Sequence, residues 1–216
     1  GRGRESSLVS VSFATGCLEQ LPYEYGFEGL TTSPTGTVTT VPCWVLNENT
    51  SVQSGQYTTG YAAEGISRMR FSVSQATAYA VMPKLDDSIN HLYMTLQVNT
   101  GTTYFDEPLA PLYVGVVTDP YDFSTFLPVD TLLPTASNTW QSFRVDFNSL
   151  TDNDYYIAFY GTGSYYTSYV YLDDIHVYLI APHNIDLTLA DATRGTVAIN
   201  GVTTNHAQAL AGSDVT

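Results

Sequence analysis

Lysine is almost absent from this chain. Lys84 is the only one in 216 residues, and seven lysine and arginine side chains stand against twenty-one acids, a formal net charge of −14 with a sequence pI of about 4.2. A surface of that sign repels phosphate backbones, which excludes nucleic acid as a partner and disfavours anionic lipid. No apolar run reaches the roughly eighteen residues needed to cross a bilayer, so no membrane insertion is expected. No basic stretch followed by an apolar core opens the chain, so no secretory leader is read. Gly1-Arg2-Gly3-Arg4 and Asp214-Val215-Thr216 look instead like cuts within a longer protein, which leaves secretion open. Amphipathic helical periodicity is missing too. Cysteine is limited to Cys17 and Cys43. They either pair, which would stabilise by about 3 kcal/mol through loop closure, or serve as two separate small core residues.

What the chain has in quantity is tyrosine, threonine, serine, valine and glycine, a mix suited to half-buried pleated strands joined by polar turns. Leu92, Met94, Leu96 and Val98 point one way, with His91, Tyr93, Thr95 and Gln97 opposite. Leu112, Val114 and Val116 repeat the alternation, as do Phe143, Val145 and Phe147, and then Ile157 with Phe159. Period two over many short runs, punctuated by Gly, Pro, Asn and Asp, argues for an all-β sandwich of antiparallel strands.

Composition shifts divide the chain. Glu5 to Gly16 alternate as one strand and resemble the last strand of a fibronectin type III-like module, so residues 1–17 are read as that strand plus a linker. Residues 18–182 are the sandwich. Residues 183–216 resemble the beginning of a small β-repeat module, with Asn200-Gly201 as a hairpin turn.

Within the central part, landmarks follow one another in order: Leu21-Pro22-Tyr23 leading to Phe27-Glu28; Pro42-Cys43-Trp44; Ala80-Val81-Met82-Pro83-Lys84-Leu85-Asp86; Val114-Gly115-Val116-Val117-Thr118-Asp119-Pro120; Thr139-Trp140; Tyr156-Ile157-Ala158-Phe159; and Tyr171-Leu172-Asp173-Asp174-Ile175. This series resembles the cleaved-adhesin or choice-of-anchor J family, related to MAM-type jelly-roll domains, over roughly residues 21–180. The resemblance implies a jelly-roll β-sandwich, often with structural calcium, on secreted or cell-surface bacterial proteins. It also implies partners such as carbohydrate or a host surface protein.

Carboxylates set inside strand-like runs need a compensating partner. Glu28, Asp173 and Asp174 are therefore the candidate calcium ligands, since calcium takes oxygen ligands from separate parts of a fold. The plainer alternative is that these acids cap turns or accept backbone hydrogen bonds. Asp173 and Asp174 point to opposite faces of a regular strand. Asp174 is the expected partner of Glu28, because it shares parity with Val170 and Leu172. Ile175 and Val177 have the other parity, which hints at a bulge.

Tyr165 and Tyr166 follow a glycine-rich loop tip at 161–164, flanked by Tyr160 and Tyr169, and these four form the candidate ligand patch. Exposed phenol rings stack on sugars and anchor proteins; cross-strand pairing on a sheet face is the alternative. Trp44 and Trp140 are expected in the core. Asp152-Asn153-Asp154 and Asp119-Pro120-Tyr121-Asp122 read as turns, and Asn49-Thr50-Ser51 matches a glycosylation sequon. The four histidines show no metal-ligand spacing.

No nucleophile elbow, His-Glu-x-x-His or phosphate-cradling loop is present. The expected function is non-catalytic binding or adhesion outside the cell. A purely architectural spacer is the alternative, and a glycosidase the remote one.

Overall fold

The computed structural model describes residues 17–30, 36–55, 60–101, 108–151, 155–163 and 169–186, with strand segments at 198–199, 202–203 and 206–210; from 182 onward only backbone pairing is described. The strands in chain order are β1 (Leu18–Glu19), β2 (Tyr23–Tyr25), β3 (Gly36–Val38), β4 (Val45–Leu46), β5 (Thr50–Ser54), β6 (Ser67–Ser72), β7 (Thr77–Val81), β8 (Lys84–Leu85), β9 (Leu92–Thr100), β10 (Leu112–Val117), β11 (Leu127–Leu132), β12 (Gln141–Asp146), β13 (Tyr156–Thr162), β14 (Tyr169–Leu179), β15 (Pro182–Asp186), β16 (Ala198–Ile199), β17 (Val202–Thr203) and β18 (His206–Leu210).

Two sheets face each other in a jelly-roll-like sandwich. One runs β11-β10-β13-β7-β4; the other runs β12-β9-β14-β6-β5-β3, with β2 also paired to β14. The pairs within both sheets are antiparallel. The core forms where the alternating residues of both inner faces meet. Leu92, Met94, Leu96 and Val98 of β9, with Met69, Phe71 and Leu172 of the same sheet, share one core with Leu112, Val114, Val116 and Phe159 of the other. Full burial of such a side chain contributes roughly 1.5–3 kcal/mol. Trp44 lies in this core as expected, its indole N–H donating to the Tyr23 hydroxyl at 3.2 Å and its ring stacked on Phe159.

Trp140 is a correction. It sits half-exposed at the surface, and its indole N–H donates to the Gly60 carbonyl at 3.0 Å. The inward residues of β12 are Phe143 and Val145, and Trp140 has the opposite parity. Cys17 and Cys43 are disulfide-bonded, beside the short parallel pair β1–β8. Ala198–Ile199 and Val202–Thr203 pair across Asn200-Gly201, and β15 pairs with β18. Residues 1–16, including the fibronectin-like strand, lie outside the described residues, as do Asp152–Asp154.

The decisive local feature is on β14. Its first half, Tyr169–Leu172, pairs with β6; its second half, Ile175–Val177, pairs with β2. Between them the register against β9 shifts across Asp173 and Asp174, and Asp174 takes a left-handed φ of 51°. Asp173 is the last residue in register and Asp174 opens the bulge, at the point where β14 exchanges one neighbour for another.

Candidate functional site

At that exchange point β2 has ended and β6 has not begun, so the backbone between them lacks a ladder partner. The carboxylates supply one. Asp173 is fully buried, and its Oδ2 accepts the N–H groups of Ala63 at 2.8 Å and Glu64 at 3.1 Å. Glu28 Oε1 accepts those of Ile66 at 2.9 Å and Ser67 at 2.7 Å. Gly65, at φ +61°, lies between the two pairs, and a Cβ there would run into the Glu28 carboxylate. Chain start and chain end therefore hold one loop from two sides.

Each carboxylate keeps one lightly used oxygen. Among the described residues Asp173 Oδ1 accepts from the N–H of Asp174 alone, and Glu28 Oε2 has a long 3.4 Å contact from the Ser67 hydroxyl. Burial pushes the Asp173 carboxyl up to about 7, against the lowering effect of its three backbone donors. Among the described residues no group of three or more Asp, Glu, His or Cys side chains gathers around a common point. Any bound cation would have to complete its shell with backbone carbonyls or water. Glu28 and Asp173 are two carboxylates from separate parts of the fold, the kind of donor a hard ion takes, and Asp173 is buried with no cationic side chain in ion-pair contact among the described residues.

The expectation that Asp174 faces Glu28 does not hold. The bulge falls at Asp174 and Ile175, after Asp173, so Asp173 takes the loop and Asp174 turns to the outer face. There Asp174 Oδ1 accepts from His176 Nε2 at 2.6 Å. His176 Nδ1 stands 3.2 Å from the Tyr178 hydroxyl and 3.6 Å from Glu24. Burial works against the imidazolium, but the hydrogen bond and the Asp174 and Glu24 charges outweigh it, so His176 lies above its ordinary value.

Of the four tyrosines of the candidate patch, Tyr160 and Tyr169 fall on different sheets. Tyr165 and Tyr166 lie outside the described residues. The strand β13 continues through Gly161 and Thr162, where a loop tip was expected. Tyr160 belongs to the five-stranded sheet. It sits in a cross-strand row between Tyr113 and Tyr79 and packs 5.8 Å from both Phe123 and Phe126. Those rings come from the turn that starts at Asp119-Pro120, where Asp122 caps a short 3-10 segment through the Ser124 N–H. Cross-strand packing accounts for Tyr160.

Tyr169 instead belongs to the outer face of the seven-stranded sheet. Register places Tyr171 between Asn99 of β9 and Arg70 of β6, with Ser51 of β5 beyond. The next row carries Gln97 and Asp173. Arg68 is clamped between two rings, its guanidinium 3.8 Å from the Tyr61 centroid and 3.5 Å from that of Tyr171. It also donates to the Tyr61 carbonyl at 2.8 Å. The Tyr61 ring lies so close to Gly55 that a Cβ there would come within 2.8 Å of it. Tyr61 stands on the same loop that Asp173 and Glu28 hold, so the acid clasp also positions an aromatic ring over this face.

Three polar atoms on the face are buried and unpartnered among the described residues: Arg68 Nε, Arg70 Nε and Asn99 Oδ1. Asn99 is only 3% exposed. Buried groups of this kind cost about 1–3 kcal/mol each when unsatisfied. Composition alone could not reveal this site, because Arg68, Arg70 and Asn99 converge only through strand pairing; the outward Arg-x-Arg spacing on β6 was the one available signal. The sequon is structurally committed: the Asn49 amide donates to the Thr77 carbonyl at 2.9 Å, and Thr50 is fully buried.

No protein-family model and no curated protein matches the chain. Among solved structures it is similar to the K1 cleaved adhesin domain of Lys-gingipain from Porphyromonas gingivalis W83, with a TM-score of 0.55 and 17% identity over 74% of this chain and 98% of that one. The K2 cleaved adhesin domain of Lys-gingipain gives 0.54 and 14% over the same shares. A xylan-binding domain from CBM 22 gives 0.46 and 15%, over 73% of this chain and 93% of that one. At such identities the shared property is the fold, a jelly-roll-like β-sandwich.

Proposed function

We propose that the chain is a non-catalytic binding module of an extracellular protein, and that it takes carbohydrate on the outer face of its seven-stranded sheet. The observation that carries this is the set of unpartnered buried polar atoms, Arg68 Nε, Arg70 Nε and Asn99 Oδ1, set among the rings of Tyr61, Tyr169 and Tyr171. Sugar hydroxyls both donate and accept, so they can satisfy a buried amide oxygen and a guanidinium N–H side by side while the ring stacks on tyrosine. The disulfide supports an oxidising compartment, and the adhesin-type fold accords with a surface role. Residues 18–182 would be the binding domain, in the manner of the choice-of-anchor J and MAM-like group, and 183–216 the start of a following β-repeat.

Calcium belongs to the same proposal, with Glu28 and Asp173 as its side-chain ligands. When bound, the ion supplies charge compensation for the buried Asp173. The two residues secure the 63–67 loop and, through it, Tyr61. The test is a glycan array probed with the whole chain and with Tyr169→Ala. Binding to a defined glycan class that is lost in the variant, at unchanged melting temperature, is the expected result. No glycan binding at any calcium concentration would leave a spacer role.

A further inference from the structure

We infer that the glycan carries a free carboxylate, as a uronic acid does, and that Arg70 is the residue that reads it. This deepens the assignment of the outer face as a carbohydrate site and rests on it. The charged groups of that face differ in how fully they are used. Arg144 on β12 has its carboxylate supplied by the chain: Asp146, two residues on, accepts from its Nε and Nη2 at 2.6–3.2 Å. Arg68 is stacked between two rings and bonded to a carbonyl, so it acts as a strut for Tyr61.

Arg70 has neither arrangement. Its only contact of this kind among the described residues is the ring of Tyr169, 5.0 Å from its guanidinium carbon, and its Nε is buried without an acceptor. Two arginines at successive outward positions of one strand repel each other, and Asp173, the acid in the neighbouring row, is engaged with the loop amides. In a chain with so few cations, such a guanidinium is an open fork for a planar anion, which it can bind through two parallel N–H groups. Asn99, on the far side of Tyr171 in the same row, offers an acceptor for a neighbouring hydroxyl. The net charge of −14 does not prevent this, because beyond about 8 Å charges are screened at physiological salt.

The experiment is calorimetric titration of the whole chain with tri-galacturonic acid and with its methyl ester, at one fixed calcium concentration. The free acid is expected to bind about tenfold or more tightly than the ester, the loss expected for one charge-assisted contact. Arg70→Gln is expected to erase that difference without moving the melting temperature, and Arg70→Lys to restore part of it. Equal affinity for acid and ester in the unaltered chain overturns the carboxylate inference and leaves a neutral-glycan site standing. Failure of the acid, its ester and every neutral glycan overturns the site assignment itself.

Discussion

Glu28 and Asp173 grip the backbone on opposite sides of Gly65: Asp173 takes the N–H groups of Ala63 and Glu64, and Glu28 takes those of Ile66 and Ser67. Residues 145 positions apart in sequence thus stabilise the loop that presents Tyr61 to the outer face.

That clasp makes a calcium prediction. Calcium at about a hundred times its dissociation constant should add roughly 2.7 kcal/mol, a rise of several degrees in melting temperature for a domain of this size. Glu28→Ala and Asp173→Asn should abolish the rise. In EDTA above pH 7, Asp173→Asn should melt higher than the unaltered chain, since it removes a buried charge while keeping the shape. Identical melting curves with and without calcium would count against the ion site.

The pH dependence follows from Asp173, whose carboxyl is raised by burial from 3.8 to about 7. The folded state then binds this proton more tightly than the unfolded state, so without calcium stability should fall as pH rises from about 4 to 7 and level off above. His176, also raised, adds stability below its unfolded value that is lost as pH rises through its folded one, the same direction. Calcium competes with the Asp173 proton, so its affinity should increase about tenfold per pH unit below 7 and plateau above it. Calcium titrations at pH 5.5, 6.5, 7.5 and 8.5 measure this; a flat series would remove Asp173 from the ligand set.

The two aromatic groups should separate in mutagenesis. Tyr160→Ala removes ring contacts with Tyr113, Phe123 and Phe126 and should cost about 1–3 kcal/mol in denaturant unfolding. Glycan binding should persist in the folded variant. Tyr169→Ala should do the reverse. Loss of binding in Tyr160→Ala would move the site to the other sheet.

Cys17 and Cys43 are 26 residues apart, so reduction or a Cys17→Ser, Cys43→Ser double change should cost about 3 kcal/mol. Denaturant midpoints with and without reductant check the magnitude. Mass spectrometry of the intact chain should show two additional hydrogens after reduction.

Much of the sandwich was legible in one dimension. The inward sets Leu92-Met94-Leu96-Val98 and Leu112-Val114-Val116 announce themselves because a strand's side chains alternate with period two, and burial selects one parity. The punctuation around them, Asp119-Pro120 included, marks turns through local backbone preferences. The same logic pointed to Glu28 and the Asp173-Asp174 pair as acids in need of a partner, and even to a bulge in β14.

What lay beyond reach was set by pairing between distant strands. Which of Asp173 and Asp174 turns to the loop depends on where β14 leaves β6 for β2, and no local pattern encodes that residue by residue. Tyr160 and Tyr169, nine positions apart, ended on different sheets because the intervening chain crosses from one to the other. Arg70, Tyr171 and Asn99 became one row only through hydrogen-bond register across three strands. Local sequence determined which residues face inward; tertiary pairing alone decided which outward residues meet, because that distance is fixed by ladders between segments far apart in the chain.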